Sequence, residues 1–185
     1  VLAVPRGGVP VAYTVASELN FPMQLVLTKK IGHPINKEYA IGAASLTDYF
    51  VIPHDDVTEV YIQQEVKRVQ DKLKDMQQKF TGDRTFLPLK GKTVIIVDDG
   101  IATGNTMLAT VKVIRKEEPE KIIIAVPVTA AEAYKKLAKE VDEFIFLLIA
   151  EEFYGVGAFY DDFKQVTNEE VQVYLNNLQQ KEKLY

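Results

Sequence analysis

Apolar positions along this chain follow two rhythms. Short, nearly continuous apolar runs alternate with stretches where an apolar residue returns every three or four positions. The runs predict strands at residues 1–4, 25–28, 94–97, 122–128 and 144–149, with two further strands at 40–46 and 49–52 close enough to pair. The slower rhythm predicts helices at 10–19, 58–80, 104–116 and 131–140. Pro10 fits the first turn of its helix, where an N–H has no partner to lose. Residues 31–39 contain Gly32, Pro34 and Asn36 and predict a loop. In the tail, Thr167 and Glu170 have the spacing of a reciprocal helix cap, and Val171, Leu175 and Leu178 fall on one side of a last helix.

From residue 94 onward, strand and helix alternate. This order implies right-handed crossovers and an α/β doubly wound fold, a mostly parallel sheet with helices on both faces. The runs at 122–128 and 144–149 are almost wholly apolar, as in parallel strands buried on both sides. In the helix at 58–80, Ile62, Val66, Val69, Leu73, Met76 and Phe80 are spaced four and three in alternation. Such a stripe either lays a helix on a sheet or joins two subunits. The first use is the commoner; the second would make a homodimer. The 185 residues suit one domain, with 151–185 as a small C-terminal hood or tail. The chain opens at Val1, inside a strand and without Met, so we expect residues before it.

Composition then narrows the function classes. A net charge of −4 argues against a protein that coats nucleic acid. The longest apolar run, residues 144–150, is too short to span a bilayer. There is no cysteine, which excludes disulfides, thiolate metal sites and a cysteine nucleophile. Its absence fits a reducing compartment such as the cytoplasm. His33 and His54 are too few and too far apart for a histidine-built metal site. A metal would rest on carboxylates or on a ligand.

The chemistry concentrates at residues 94–106. The strand at 94–97 runs into Asp98-Asp99-Gly100-Ile101-Ala102-Thr103-Gly104-Asn105-Thr106 and then a helix. Ligands of open α/β sheets bind beyond the carboxyl ends of the strands, where this segment lies. Gly100, Ala102 and Gly104 let backbone N–H groups approach an anion, Thr103 and Thr106 add hydroxyls, and the helix turns its positive end the same way. The result is a phosphate cradle. Asp98 and Asp99 would repel a phosphate, so they face another part of the ligand: adjacent ribose hydroxyls, or hydrated Mg²⁺ resting on them. A cradle beside a diol clamp describes a ribose 5-phosphate pocket. A P-loop would need Lys after its second glycine, and Asn105 stands there. A phospho-receiver domain would need an acceptor Asp on a later strand, and neither 122–128 nor 144–149 offers one.

Four apolar residues, two acids, small residues and Thr-Gly-x-Thr resemble the signature of type I phosphoribosyltransferases, which bind 5-phosphoribosyl 1-pyrophosphate (PRPP). The resemblance implies transfer of the 5-phosphoribosyl group to a nitrogen of a small planar acceptor, with inversion, release of pyrophosphate and Mg²⁺ as cofactor. It implies Asp98 and Asp99 as the residues that hold ribose and metal, directly or through water. It implies Ala102, Thr103, Gly104, Asn105 and Thr106 as the 5-phosphate site. A regulatory protein that senses PRPP without transfer would need the same loops.

The resemblance extends to three further segments. Val4-Pro5-Arg6-Gly7-Gly8-Val9-Pro10 occupies the position of the family's pyrophosphate loop, with Arg6, Gly7 and Gly8 as contacts. Lys29-Lys30 ends the second predicted strand, and Lys30 is expected to act in catalysis by neutralising pyrophosphate. Residues 31–39, with His33 and Lys37, correspond to a loop that closes over PRPP. After the last strand come five aromatics within eleven residues, Phe153 to Phe163, in the region that covers the acceptor. Phe153, Tyr154 and Val156 are the expected acceptor contacts. Enzymes acting on hypoxanthine and guanine carry Asp where this chain has Ala102, which weakens a 6-oxopurine acceptor. The opening loop and the tail Gly155-Val156-Gly157-Ala158-Phe159-Tyr160-Asp161-Asp162-Phe163 resemble phosphoribosyltransferase-domain proteins without a settled acceptor.

Overall fold

The computed structural model describes residues 1–37, 39–82 and 86–182, with side chains up to residue 178. In chain order the elements are β1 (Leu2–Ala3), α1 (Gly8–Leu19), β2 (Gln24–Leu25), β3 (Lys29–Gly32), β4 (Ala40–Ala44), β5 (Tyr49–Val51) and α2 (Glu59–Thr81). Then follow β6 (Thr93–Val97), α3 (Asn105–Arg115), β7 (Lys121–Ala130), α4 (Ala131–Leu137), β8 (Glu143–Ala150), a 3₁₀ turn (Val156–Phe159) and α5 (Asn168–Glu182).

Five strands form the main sheet in the order β2-β1-β6-β7-β8, and every pairing in it is parallel. Strand side chains alternate between its faces. On one face Val94, Ile96, Ile122 and Ile124 meet Met107, Val111 and Ile114 of α3 and Ala133 and Leu137 of α4. On the other, Ala3, Leu25 and Val97 join Val9 and Ala12 of α1, Val69 and Leu73 of α2, and Val171 and Leu175 of α5. Helices therefore cover both faces, as the alternation of strand and helix requires.

The α2 stripe turns inward. Val66, Val69, Leu73 and Phe80 are buried in the core, and Ile62 and Met76 are half-buried against it. The stripe thus lays α2 on the core of its own protein, the commoner of the two uses weighed for it. Thr58 Oγ1 accepts the Tyr61 N–H at 3.3 Å and caps the start of α2. At α5 the expected reciprocal cap forms: Glu170 N–H donates to Thr167 Oγ1 at 3.1 Å and Thr167 N–H to Glu170 Oε2 at 2.7 Å.

Two predicted strands differ from what forms. The second pairs with β1 only through Gln24 and Leu25. The chain then leaves the main sheet, and Lys29 and Lys30 open β3 of a second, antiparallel sheet ordered β3-β4-β5. Lys29-Lys30 thus begins a strand instead of ending one, and the loop expected at 31–39 starts only after Gly32. Within that loop, Glu38 lies outside the described residues. Leu25, Leu27 and Ile31 are all buried in one core, so their apolar character does not announce a change of sheet.

The last strand, expected to be buried, is a sheet edge. Ile145 is 47 % exposed, Phe146 37 %, Leu147 85 % and Leu148 47 %. The seven-residue α4 lies against one side of β7 and β8, and α1, α2 and α5 pack toward the opposite end of the sheet. Among the described residues no helix is long and apolar enough to cross a membrane.

Candidate ligand site at the carboxyl edge of the sheet

Strand β6 delivers Asp98 and Asp99 to the carboxyl edge between β1 and β7. Asp99 N–H donates to Asp98 Oδ1 at 2.9 Å. Burial pushes the Asp98 carboxyl well above its ordinary range, and the neighbouring charge of Asp99 adds to the effect. Burial raises Asp99 as well. Two half-buried acids side by side favour a bound cation or a shared proton.

The loop after β1 is pressed against this pair. Val4 N–H donates to Val97 O at 2.9 Å, which aligns the two strand ends. A Cβ on Gly7 would lie 1.9 Å from Asp99 Oδ2, and one on Gly8 would lie 2.7 Å from Asp98 Cα and 2.8 Å from Val97 O. At Gly7 a Cβ would have to displace the Asp99 side chain, and at Gly8 it would meet main chain. The Pro5–Arg6 peptide bond is cis. Arg6 turns toward the end of the chain, where Nη1 donates to Asn168 Oδ1 at 3.3 Å.

Beyond the acids the chain is stitched to β7. Ile101 N–H donates to Val128 O at 3.0 Å, and Ala130 N–H donates to Ile101 O at 2.9 Å. Gly104 then adopts φ 72°, a left-handed conformation suited to glycine, and caps α3. Ala102, Thr103, Asn105 and Thr106 are exposed around it. Lys136 of α4 reaches over, its Nζ donating to Thr103 O at 2.9 Å and to Asn105 Oδ1 at 2.8 Å.

The segment after β8 closes on the same region. A Cβ on Gly100 would stand 2.8 Å from Val156 Cγ1, so the 3₁₀ turn packs on the acidic loop. Tyr160 donates its hydroxyl to Asp99 O at 2.6 Å. Burial, followed by the charges of Asp99 and Asp98, raises the Tyr160 phenol above its ordinary range.

Residues 1–163 match the phosphoribosyl transferase domain family. The chain belongs to the type I phosphoribosyltransferases. It is similar to TT1426 of Thermus thermophilus, a crystal structure, with 36% identity and a TM-score of 0.88 over 96% of this chain and 86% of that one. It is 35% identical over 181 residues to the Mycobacterium tuberculosis protein named "Putative phosphoribosyl transferase", covering 95% of this chain and 41% of the relative. The chain thus spans about two fifths of that relative's length. A stretch of 59 residues is 44% identical to ribose-phosphate pyrophosphokinase of Pyrococcus furiosus, 31% of this chain and 21% of that one.

Membership in the phosphoribosyltransferases accounts for the parallel sheet, and α5 lies beyond the matched residues. Of the residues singled out from sequence, Gly7, Gly8, Asp98 and Asp99 come into contact, and Ala102, Thr103, Gly104, Asn105 and Thr106 follow in one turn. Val156 lies on Gly100. Phe153 packs on Phe159 with ring centroids 5.2 Å apart, and Tyr154 is 87 % exposed. Lys30 is exposed on β3, in register with Ala43.

His33 and Lys37 are already engaged elsewhere. His33 Nε2 lies 3.0 Å from Asp56 Oδ2. Lys37 donates to Tyr61 Oη at 2.5 Å and stands 3.6 Å from buried Glu65. The Tyr61 hydroxyl donates to Gly32 O at 2.6 Å, so α2 holds this loop from beneath. Sequence reasoning missed Lys136 and Tyr160 as site residues. The first lies in an ordinary amphipathic helix far along the chain. The second stood out only as one aromatic among five.

Proposed function

We propose that this chain transfers the 5-phosphoribosyl group of PRPP to a nitrogen of a small planar acceptor and releases pyrophosphate. One observation carries the reading: two glycines lie so close to a half-buried acid pair that a Cβ on either would collide with it, and the loop after the acids turns at Gly104 into the start of α3. In this reading Ala102 to Thr106 bind the 5-phosphate through N–H and hydroxyl donors. Asp98 and Asp99 accept from the ribose hydroxyls. Arg6 and the Gly7 amide take the pyrophosphate, while the Gly8 N–H donates to Val4 O at 3.1 Å and Gly8 serves by leaving room for the ligand. Asn168 occupies one Arg6 nitrogen, and a guanidinium has five N–H donors to distribute. Lys30, exposed on β3, neutralises the leaving group.

Asp98 and Asp99 also suit Mg²⁺, because this ion needs only one or two protein carboxylates when the ligand supplies the other oxygens. Among the described residues no group of three or more His, Cys, Asp or Glu side chains offers a site built by protein alone. When bound, Mg²⁺ would supply positive charge that eases departure of pyrophosphate. The chain's own contribution is positioning the donor for a transition state of oxocarbenium-like character, as in glycosyl transfer. Phe153, Tyr154 and Val156 form the acceptor side. The lack of cysteine suits action in a reducing, cytoplasmic setting.

Thermal shift with PRPP and Mg²⁺, followed by a pyrophosphate-release assay across a panel of nucleobases, tests this. A shift and release with at least one base support it. No shift at millimolar PRPP would sink the site, and binding with silence across the panel would assign the chain to PRPP sensing instead.

A further inference from the structure

Lys136 belongs to none of the segments that carry the signature, yet both partners of its ammonium are on the cradle loop: Thr103 O at 2.9 Å and Asn105 Oδ1 at 2.8 Å. Neither partner is charged, so its positive charge is not cancelled there. Lys135, next to it, pairs with Glu132 at 2.9 Å instead. The same helix forms the floor of the loop. A Cβ on Gly104 would stand 3.2 Å from Leu137 Cδ1 and 3.3 Å from Ala133 Cβ. Ala133, Lys136 and Leu137 share one face of α4 through three- and four-residue spacing.

We infer that Lys136 is a positioning residue of the 5-phosphate cradle and a source of its positive charge. The inference rests on the phosphoribosyl reading above and names the residue that shapes that subsite. The carbonyl and N–H across one peptide bond point in opposite directions. Holding Thr103 O toward Lys136 therefore turns the Gly104 N–H away from α4. An ammonium can only donate, so it also fixes which atom of the Asn105 amide faces it. The Asn105 NH₂ is left as an unspent donor. Thr103 Oγ1 accepts the Asn105 N–H at 3.4 Å and keeps its own hydrogen for a ligand. One lysine thus orients two donors, the Gly104 N–H and the Asn105 NH₂, and adds a charge beside them. The first turn of α3 contains no acidic residue to oppose that charge.

Calorimetric titration of wild type, Lys136→Gln and Lys136→Arg tests this with three probes: ribose 5-phosphate, PRPP with Mg²⁺, and inorganic pyrophosphate with Mg²⁺. Lys136→Gln is expected to weaken ribose 5-phosphate and PRPP by roughly tenfold or more. Pyrophosphate affinity and the unliganded melting temperature should stay at wild-type values, and Lys136→Arg should recover most of the loss. Equal ribose 5-phosphate affinity in wild type and Lys136→Gln overturns the inference, as does an equal loss for pyrophosphate. A wild type that takes neither ribose 5-phosphate nor PRPP overturns the phosphoribosyl reading itself, and this one with it. Should the glutamine variant not fold, Lys136→Met keeps the apolar stem on α4 and carries the same comparison.

Discussion

Gly7 and Asp99 sit so close that a Cβ on the glycine would lie 1.9 Å from the carboxylate Oδ2. Gly7 has φ −59°, an angle any residue adopts, so closeness and not backbone freedom demands glycine here. Its neighbour Gly8 is crowded first by main chain, Asp98 Cα and Val97 O, and only then by a side-chain atom, Asp98 Oδ1.

The two glycines should therefore fail differently. Gly7→Ala can fold by pushing the Asp99 side chain aside, and is expected to lose the PRPP-dependent thermal shift with the unliganded melting temperature little changed. Gly8→Ala must push backbone, and is expected to cost about 1–3 kcal/mol of stability. Melting curves with and without PRPP and Mg²⁺ separate the two effects. Identical behaviour of both variants would count against the contact.

Asp98 is a second point of tension. Its folded pKa is raised by burial and then by Asp99. An acid raised on folding favours the folded state below the ordinary carboxylate range, and that contribution is lost as pH rises through the folded pKa. Asp98→Asn has no charge to bury. Without ligand it is expected to melt above wild type at neutral pH, by about 2–4 °C for each kcal/mol relieved. The gap should narrow as the pH is lowered toward roughly 4. PRPP and Mg²⁺ should no longer shift it. A variant that melts below wild type at neutral pH would contradict this account of the pair.

Tyr160→Phe removes a single hydrogen bond, hydroxyl to Asp99 O. The expected cost is about 1 kcal/mol, or about 2–4 °C in melting temperature. PRPP affinity should stay within roughly threefold of wild type, because the bond ends on main chain and leaves both carboxylates in place. A large loss of PRPP binding would show that Tyr160 acts on the donor side.

Glu65 lies buried between Arg68 and Lys37, under the loop that follows β3. The Arg68 hydrogen bond, above all, holds its carboxyl below the ordinary range. This stabilisation is present above the ordinary glutamate range and is lost as pH falls through the lowered folded value. Glu65→Gln should cost about 1–3 kcal/mol at neutral pH. Its stability should also fall less steeply than that of wild type on acidification. Parallel pH profiles for the two proteins would mean that the carboxylate contributes nothing.

The legible parts of this chain are the local ones. Residues 94–106 follow one another in space as they do in sequence, so strand, acids, turn and helix start could be read in order. The capping pair Thr167 and Glu170 and the inward stripe of α2 are local for the same reason. Lys29 and Lys30 were misplaced because an apolar run looks the same whichever sheet receives it. The exposure of Leu147 was unreadable because an edge position depends on what fails to cover it. Lys136 and Arg6 gained their partners Thr103 and Asn168 only through folding, and no spacing rule joins such positions.

The Tyr160 tie has one more consequence. Its acceptor is a main-chain oxygen, which exists whatever residue stands at 99. Beside it, Gly100 requires of its neighbour only a small apolar surface, which Val156 provides. The segment after β8 thus docks on main chain and on one position, Gly100, that must stay without a side chain. In the reading proposed here, the acceptor half behaves as an interchangeable cassette on a fixed donor platform. Swapping residues 151–163 between relatives that keep glycine at position 100 is then the short route to a new acceptor.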